Sequence, residues 1–136
     1  MITAVHTRRL YAFEFVHFDG AFKSESHADL RRLLDRVWLT EAPRRLRNSQ
    51  VALVFGKGTA MGGRQVSYAM GRGYIELAPG QRTRDVLLHE VTHCLGFSSH
   101  GEGFVGRYFG LLERYAGVPP EVLDASRIRY FYNYME

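Results

Sequence analysis

Leu87–Phe104 reads LLHEVTHCLGFSSHGEGF, and within it His89, Glu90 and His93 form an H-E-x-x-H, with a further histidine, His100, seven positions on. On a helix each residue advances the side chain by about 100°, so His89 and His93 stand about 40° apart on one face with Glu90 beside them. Two imidazoles on one face can grip a single metal. Leu87, Leu88, Val91, Cys94 and Leu95 fall on the opposite arc, roughly 140° to 260° from His89 on the same step. One helix can therefore face a core and a polar site together.

The residue types match zinc chemistry. Zn²⁺ binds neutral imidazole at about 2.0–2.1 Å, and a catalytic site keeps three protein ligands with a fourth position for water. A carboxylate next to such a site can take the proton of that water and pass it to a leaving group. This assigns His89 and His93 as ligands of one Zn²⁺ per chain, and Glu90 as general base. Gly96 stands where the helix must stop, because glycine accepts the left-handed conformation cheaply. The turn beyond it can carry His100 back as third ligand. Glu102 and Glu113 are the alternatives.

The same stretch, an H-E-x-x-H, a short loop and an H-G-x-x-F opening a helix, resembles the SprT-like and WLM-like zincin metallopeptidases, and especially small actinobacterial and phage metallohydrolases. The resemblance covers mostly residues 73–117. It implies a zincin-like metallopeptidase acting on protein or peptide substrates, with ligands at His89, His93 and His100 and Glu90 catalytic. The metzincin pattern differs by one position: Gly96 falls on its glycine, but its third histidine would fall at Ser99. The four-cysteine zinc module that some SprT-like proteins carry has no counterpart here, since Cys94 is the only cysteine.

Around this segment, 136 residues with 46% hydrophobic and 13% aromatic content are enough for one domain over 1–136 with its own core. A lone cysteine excludes an intrachain disulfide, and its place on the apolar arc makes it a core residue. Arg8 and Arg9 interrupt what would have to be the apolar part of a signal peptide. No apolar run approaches the ~18 residues that span a bilayer. The expectation is a cytoplasmic protein without a membrane partner. Net charge is +4, and all basic residues but Lys23 and Lys57 are arginine. The densest group is Arg31, Arg32, Arg36, Arg44, Arg45 and Arg47. It reads first as a solvated helix face and second as a surface for nucleic acid. A DNA- or protein-binding module without turnover is accordingly the alternative to an enzyme, although such a module has no need of Glu90.

Elsewhere the pattern predicts a strand over 9–18 and a helix capped by Ser26, with Leu30, Leu33, Leu34, Val37 and Trp38 inward and Pro43 at its end. Val51–Phe55 reads as a strand covered on both faces. Gly56, Gly58, Gly62 and Gly63 lack the spacing of a phosphate-binding loop. Gln65–Met70 and Tyr74–Leu77 read as two strands joined through 71–73. Thr83 caps the metal helix, with Asp85 favourable near its positive end. A second helix is expected over 102–116, burying Phe104, Val105, Tyr108, Leu111, Leu112 and Tyr115. Gly106 and Gly110 mark a strip for close packing, Gly117 and Pro119 form the stop, and a short helix spans 121–126. The aromatic tail 127–136 is expected to pack on the domain. His6, His17 and His27 lack ligand spacing and read as strand or surface residues. The whole predicts a compact α+β domain, a small mixed sheet against the metal helix and further helices.

Overall fold

In a computed structural model, residues 9–11, 13–14, 18 and 21–131 are described, and the fold is α+β. The elements are α1 (His27–Glu41), a 3-10 turn (Arg44–Leu46), β1 (Ala52–Phe55), β2 (Thr59–Met61), β3 (Arg64–Val66), β4 (Tyr68–Met70), β5 (Tyr74–Leu77), α2 (Arg84–Cys94), α3 (Glu102–Ala116) and α4 (Pro120–Phe131). They fall into two compact units, Lys23–Ser98 and Met1–Phe22 with Ser99–Glu136. Among the described residues no helix is long and apolar enough to cross a membrane.

In the unit Lys23–Ser98, α1 starts where the sequence signals it. Ser26 has extended backbone and its hydroxyl accepts the Asp29 N–H at 3.0 Å, satisfying an amide that the first turn leaves unpaired. Leu30, Leu33, Leu34, Val37 and Trp38 are its buried face, as their spacing predicts. Pro43 follows the end of the helix. The Trp38 indole N–H reaches the carbonyls of Leu46 (3.2 Å) and Ser49 (2.9 Å), which fixes the 3-10 turn against the helix.

Strands β1, β5 and β4 form one mixed sheet in that order. β1 runs parallel to β5 from Ala52↔Tyr74 to Phe55↔Leu77, and β4 antiparallel to it from Tyr68↔Glu76 to Met70↔Tyr74. The α2 helix packs on β4, β5 and α1. Because β1 is an edge strand, only Leu53 of its four residues is buried; Ala52 is exposed, so the expected two-sided cover is absent.

The predicted strand over 65–70 is divided. Ser67 leaves the ladder: its N–H donates to Gln81 Oε1 at 2.6 Å and its hydroxyl accepts the Ala78 N–H at 2.8 Å. Residues on either side pair differently, Arg64–Val66 with β2 and Tyr68–Met70 with β5. The β2–β3 hairpin turns through Gly62 and Gly63, whose φ angles of 58° and 79° are the two positive values a type I′ turn requires.

Glu76 secures the base of this hairpin. Its carboxylate accepts the Tyr74 hydroxyl at 2.7 Å, the Gly58 N–H at 2.6 Å and, more weakly, the Tyr68 hydroxyl at 3.4 Å. Led by the Tyr74 bond, these donors hold the carboxyl below its usual range, and the bond to Glu76 in turn pushes the Tyr74 phenol up. Gly58 has φ +77°, and a Cβ there would come within 2.2 Å of the Val66 carbonyl oxygen, so no larger residue fits.

In the other unit, the described residues at 9–11, 13–14 and 18 are helical, which corrects the expected strand. Leu10 and Phe13, three apart, are both fully buried, whereas Tyr11 is exposed. That is helical periodicity; the aromatic and β-branched content of the segment imitates a strand. Phe13 meets Phe18 and Phe109, each at 5.0 Å between centroids, and the Tyr108 hydroxyl donates to Glu14 at 2.8 Å.

Helix α3 has the predicted bounds and stops at Gly117, φ +69°. It buries Phe109 rather than Tyr115, which is only partly covered. α4 extends the expected short helix to Phe131. The rest of the aromatic tail, 132–136, lies outside the described residues, as do His6 and His17.

Among the described residues, the glycine strip of α3 forms no packing seam: nothing lies within 4 Å of a Cβ added at Gly106, and at Gly110 only the Arg114 guanidinium does. Gly106→Ala is therefore expected to stabilise the protein by about 1 kcal/mol, the helix-propensity difference, or about 4 °C in a thermal melt. A lowered melting temperature would mean that something packs against that strip.

Candidate metal centre

Thr83, with φ −126° and ψ 161°, delivers the chain into α2, and Asp85 sits in its first turn where negative charge suits the helix dipole. Arg84 at the same end is paired: its Nε and Nη2 donate to the two Glu25 carboxylate oxygens at 3.1 and 3.0 Å. That pairing raises the guanidinium pKa, and it ties the start of α2 to the segment before α1.

Leu87, Leu88, Val91 and Cys94 are fully buried, fixing the rotation of the helix about its axis. Burial, and then the charge of Glu90, push the Cys94 thiol up to about 12, so it acts as a small core side chain. With that arc committed inward, His89 and Glu90 are each 7% exposed and His93 is half-buried. The rings of His89 and His93 stand 5.3 Å apart at 63°.

The exit from α2 is shaped for His93. Leu95 is still helical, and Gly96 then takes φ +115°, where a side chain would be strained. This turn brings the Phe97 carbonyl to 2.7 Å from His93 Nδ1. A carbonyl can only accept, so Nδ1 carries the proton and Nε2 keeps its lone pair for a metal. A backbone carbonyl on the distal nitrogen is the usual means of orienting a metal-binding imidazole.

The continuous stretch 89–100 draws three imidazoles together. One ring nitrogen each of His89, His93 and His100 lies within 4.8 Å of the other two. Nitrogens bonded tetrahedrally to one zinc stand about 3.4 Å apart for bonds of ~2.0–2.1 Å, a distance that small side-chain rotations can reach. The donor set, three imidazoles without a thiolate or an obligatory carboxylate, fits zinc chemistry. Glu102 and Glu113, the alternative third ligands, are both exposed and neither belongs to this group.

Sequence reading did not identify what orients His100. Its ring meets Phe104 edge-on at 4.9 Å and 89°, and Tyr11 at 5.6 Å and 62°. Phe104 lies four residues on, and its signal was present in the H-G-x-x-F spacing. Tyr11 is remote in sequence, on a segment that reads as a strand, and carried no signal. His27, read as a strand or surface histidine, is the first residue of α1, is exposed and lies flat on Phe55, with 3.7 Å between ring centroids. Set against protein-family profiles, curated proteins and solved structures, the chain matches none of them.

Proposed function

We propose that the chain is a zinc-dependent metallohydrolase of zincin type, a peptidase acting on amide bonds of protein or peptide substrates in the cytoplasm. The observation that carries this reading is the convergence of His89, His93 and His100, with the His93 tautomer set by the Phe97 carbonyl. One Zn²⁺ per chain would be held by these three residues. When bound, the metal supplies Lewis acidity, which lowers the pKa of a coordinated water toward ~7 and polarises a carbonyl.

The chain's own residues would do the rest. Glu90, nearly sequestered from solvent and directly after His89, would take a proton from the attacking water and return it to the departing amine. His93, protonated on Nδ1, keeps its orientation through the cycle. A metal site that served only to hold the fold together would need a fourth protein ligand. Three imidazoles with a buried carboxylate beside them match the catalytic pattern instead.

The third ligand provides the direct test of this arrangement. In a competitive chelator titration, His100→Ala is expected to lower zinc affinity sharply, because it leaves two imidazoles. Glu113→Ala is expected to leave affinity nearly intact. The reverse ranking would move the third ligand to a glutamate on α3 and overturn the three-histidine site.

A further inference from the structure

In the unit Lys23–Ser98, three positively charged or chargeable side chains surround a single aromatic ring. The imidazole of His27, the first residue of α1, lies parallel to Phe55 at the end of β1, with 3.7 Å between centroids and 2° between planes. The guanidinium carbon of Arg31, one turn further along α1, is 5.2 Å from the same ring centroid. That of Arg82, from the segment leading into α2, is 5.5 Å away. Arg82 Nη1 also lies 3.5 Å from His27 Nε2.

Among the described residues no carboxylate is paired with Arg31 or Arg82. Glu25 and Asp29 are engaged elsewhere, by Arg84 and by Arg32, and Asp35, four residues after Arg31 on α1, is in none of the ion pairs among the described residues. The two guanidiniums, of one sign and both at Phe55 on an exposed surface, repel one another, while Arg82 can only donate to His27 Nε2, which leaves Nδ1 to carry the proton of that ring. Cation–π attraction to Phe55 offsets part of that repulsion. What the arrangement lacks is an anion. Guanidinium forks match the oxygens of a phosphate group in geometry as well as charge, and the imidazole adds a further N–H.

We propose that His27, Arg31 and Arg82, assembled on Phe55, form a binding site for a phosphate group. The site is separate from the histidine centre and does not depend on the metallohydrolase reading. Two sources offer this chemistry, a free phosphate ester and the backbone of a single-stranded nucleic acid. The site also revises the basic surface expected from sequence: Arg44 and Arg45, in the 3-10 turn, are not part of it, whereas His27 and Arg82, outside the arginine-rich stretch, are.

The test uses the full chain with inorganic phosphate and with a labelled oligothymidylate. In wild type, inorganic phosphate is expected to shift the ring-proton resonances of His27; if they do not move, the site is overturned. By fluorescence anisotropy, Arg31→Gln/Arg82→Gln is expected to bind the oligonucleotide about tenfold more weakly, with a salt dependence shallower by about 0.7 for each phosphate no longer neutralised. Arg44→Gln/Arg45→Gln should bind like wild type. An equal loss in both double variants would reduce the effect to net charge and overturn the site. Affinity that grows with oligonucleotide length identifies a strand as the source of the phosphate. Affinity no greater than for inorganic phosphate identifies a free ester, and either result supports the site.

Discussion

Glu90→Gln is expected to keep its zinc and its melting temperature while hydrolysis falls by about 10²- to 10⁴-fold, the contribution of a positioned general base. The amide is nearly the same size as the carboxylate and Glu90 is outside the ligand group, so metal binding should not notice the change. A buried carboxylate exchanged for an amide also loses no packing volume. Peptide-library cleavage followed by mass spectrometry, alongside elemental analysis of the same preparations, measures both quantities. If the variant cleaves near the wild-type rate, Glu90 is not the base, and the proposed mechanism fails even if the metal site stands.

The second large effect belongs to the ligands on α2. Wild-type protein is expected to contain about one zinc per chain, and His89→Ala or His93→Ala to contain essentially none, since two remaining imidazoles make a poor site. Loss of the metal also removes its linkage to folding, about 4 kcal/mol where free zinc is a thousandfold above its dissociation constant. The wild-type melting temperature should therefore drop on adding a chelator, and the variants should not respond. Full zinc occupancy in both single variants would sink the site assignment.

Helices α2 and α3 were legible from sequence because their signals are local. Gly96 and Gly117 mark boundaries by backbone preference, Thr83 stands at the N-cap position although its side chain makes no cap hydrogen bond, and the apolar arc fixes which side of α2 faces the core. His89, His93 and His100 fall within twelve consecutive residues, so the candidate ligand set could be read without tertiary information.

What escaped depends on partners distant in the chain. The segment 9–18 looks like a strand by composition, and the helical form of its described residues follows from Leu10 and Phe13 sharing a buried face. The division at Ser67 needs Gln81 and Ala78, more than ten residues away, to take up its polar groups. Likewise the His27–Phe55 stack joins residues that no periodicity relates. The place of Tyr115 as a core residue was taken by Phe109 because α3 is rotated so that Phe109 meets Phe13.

The β2–β3 hairpin bears on how different parts of the protein exchange with solvent. Its three β2 residues are all exposed, as are two of the three in β3, and a two-stranded ribbon is marginal in water on its own. It is held at its base, by Glu76 on Gly58 and by Gln81 on Ser67, while a Cβ added at either turn glycine would meet nothing within 4 Å. The ribbon can therefore open on its own, with its amide protons trading with deuterium at little free-energy cost, while those of α2 wait for far larger openings. In a hydrogen-exchange time course, residues 59–66 should label early and residues 84–94 late, leaving the histidine-bearing helix undisturbed by the fluctuations of the ribbon.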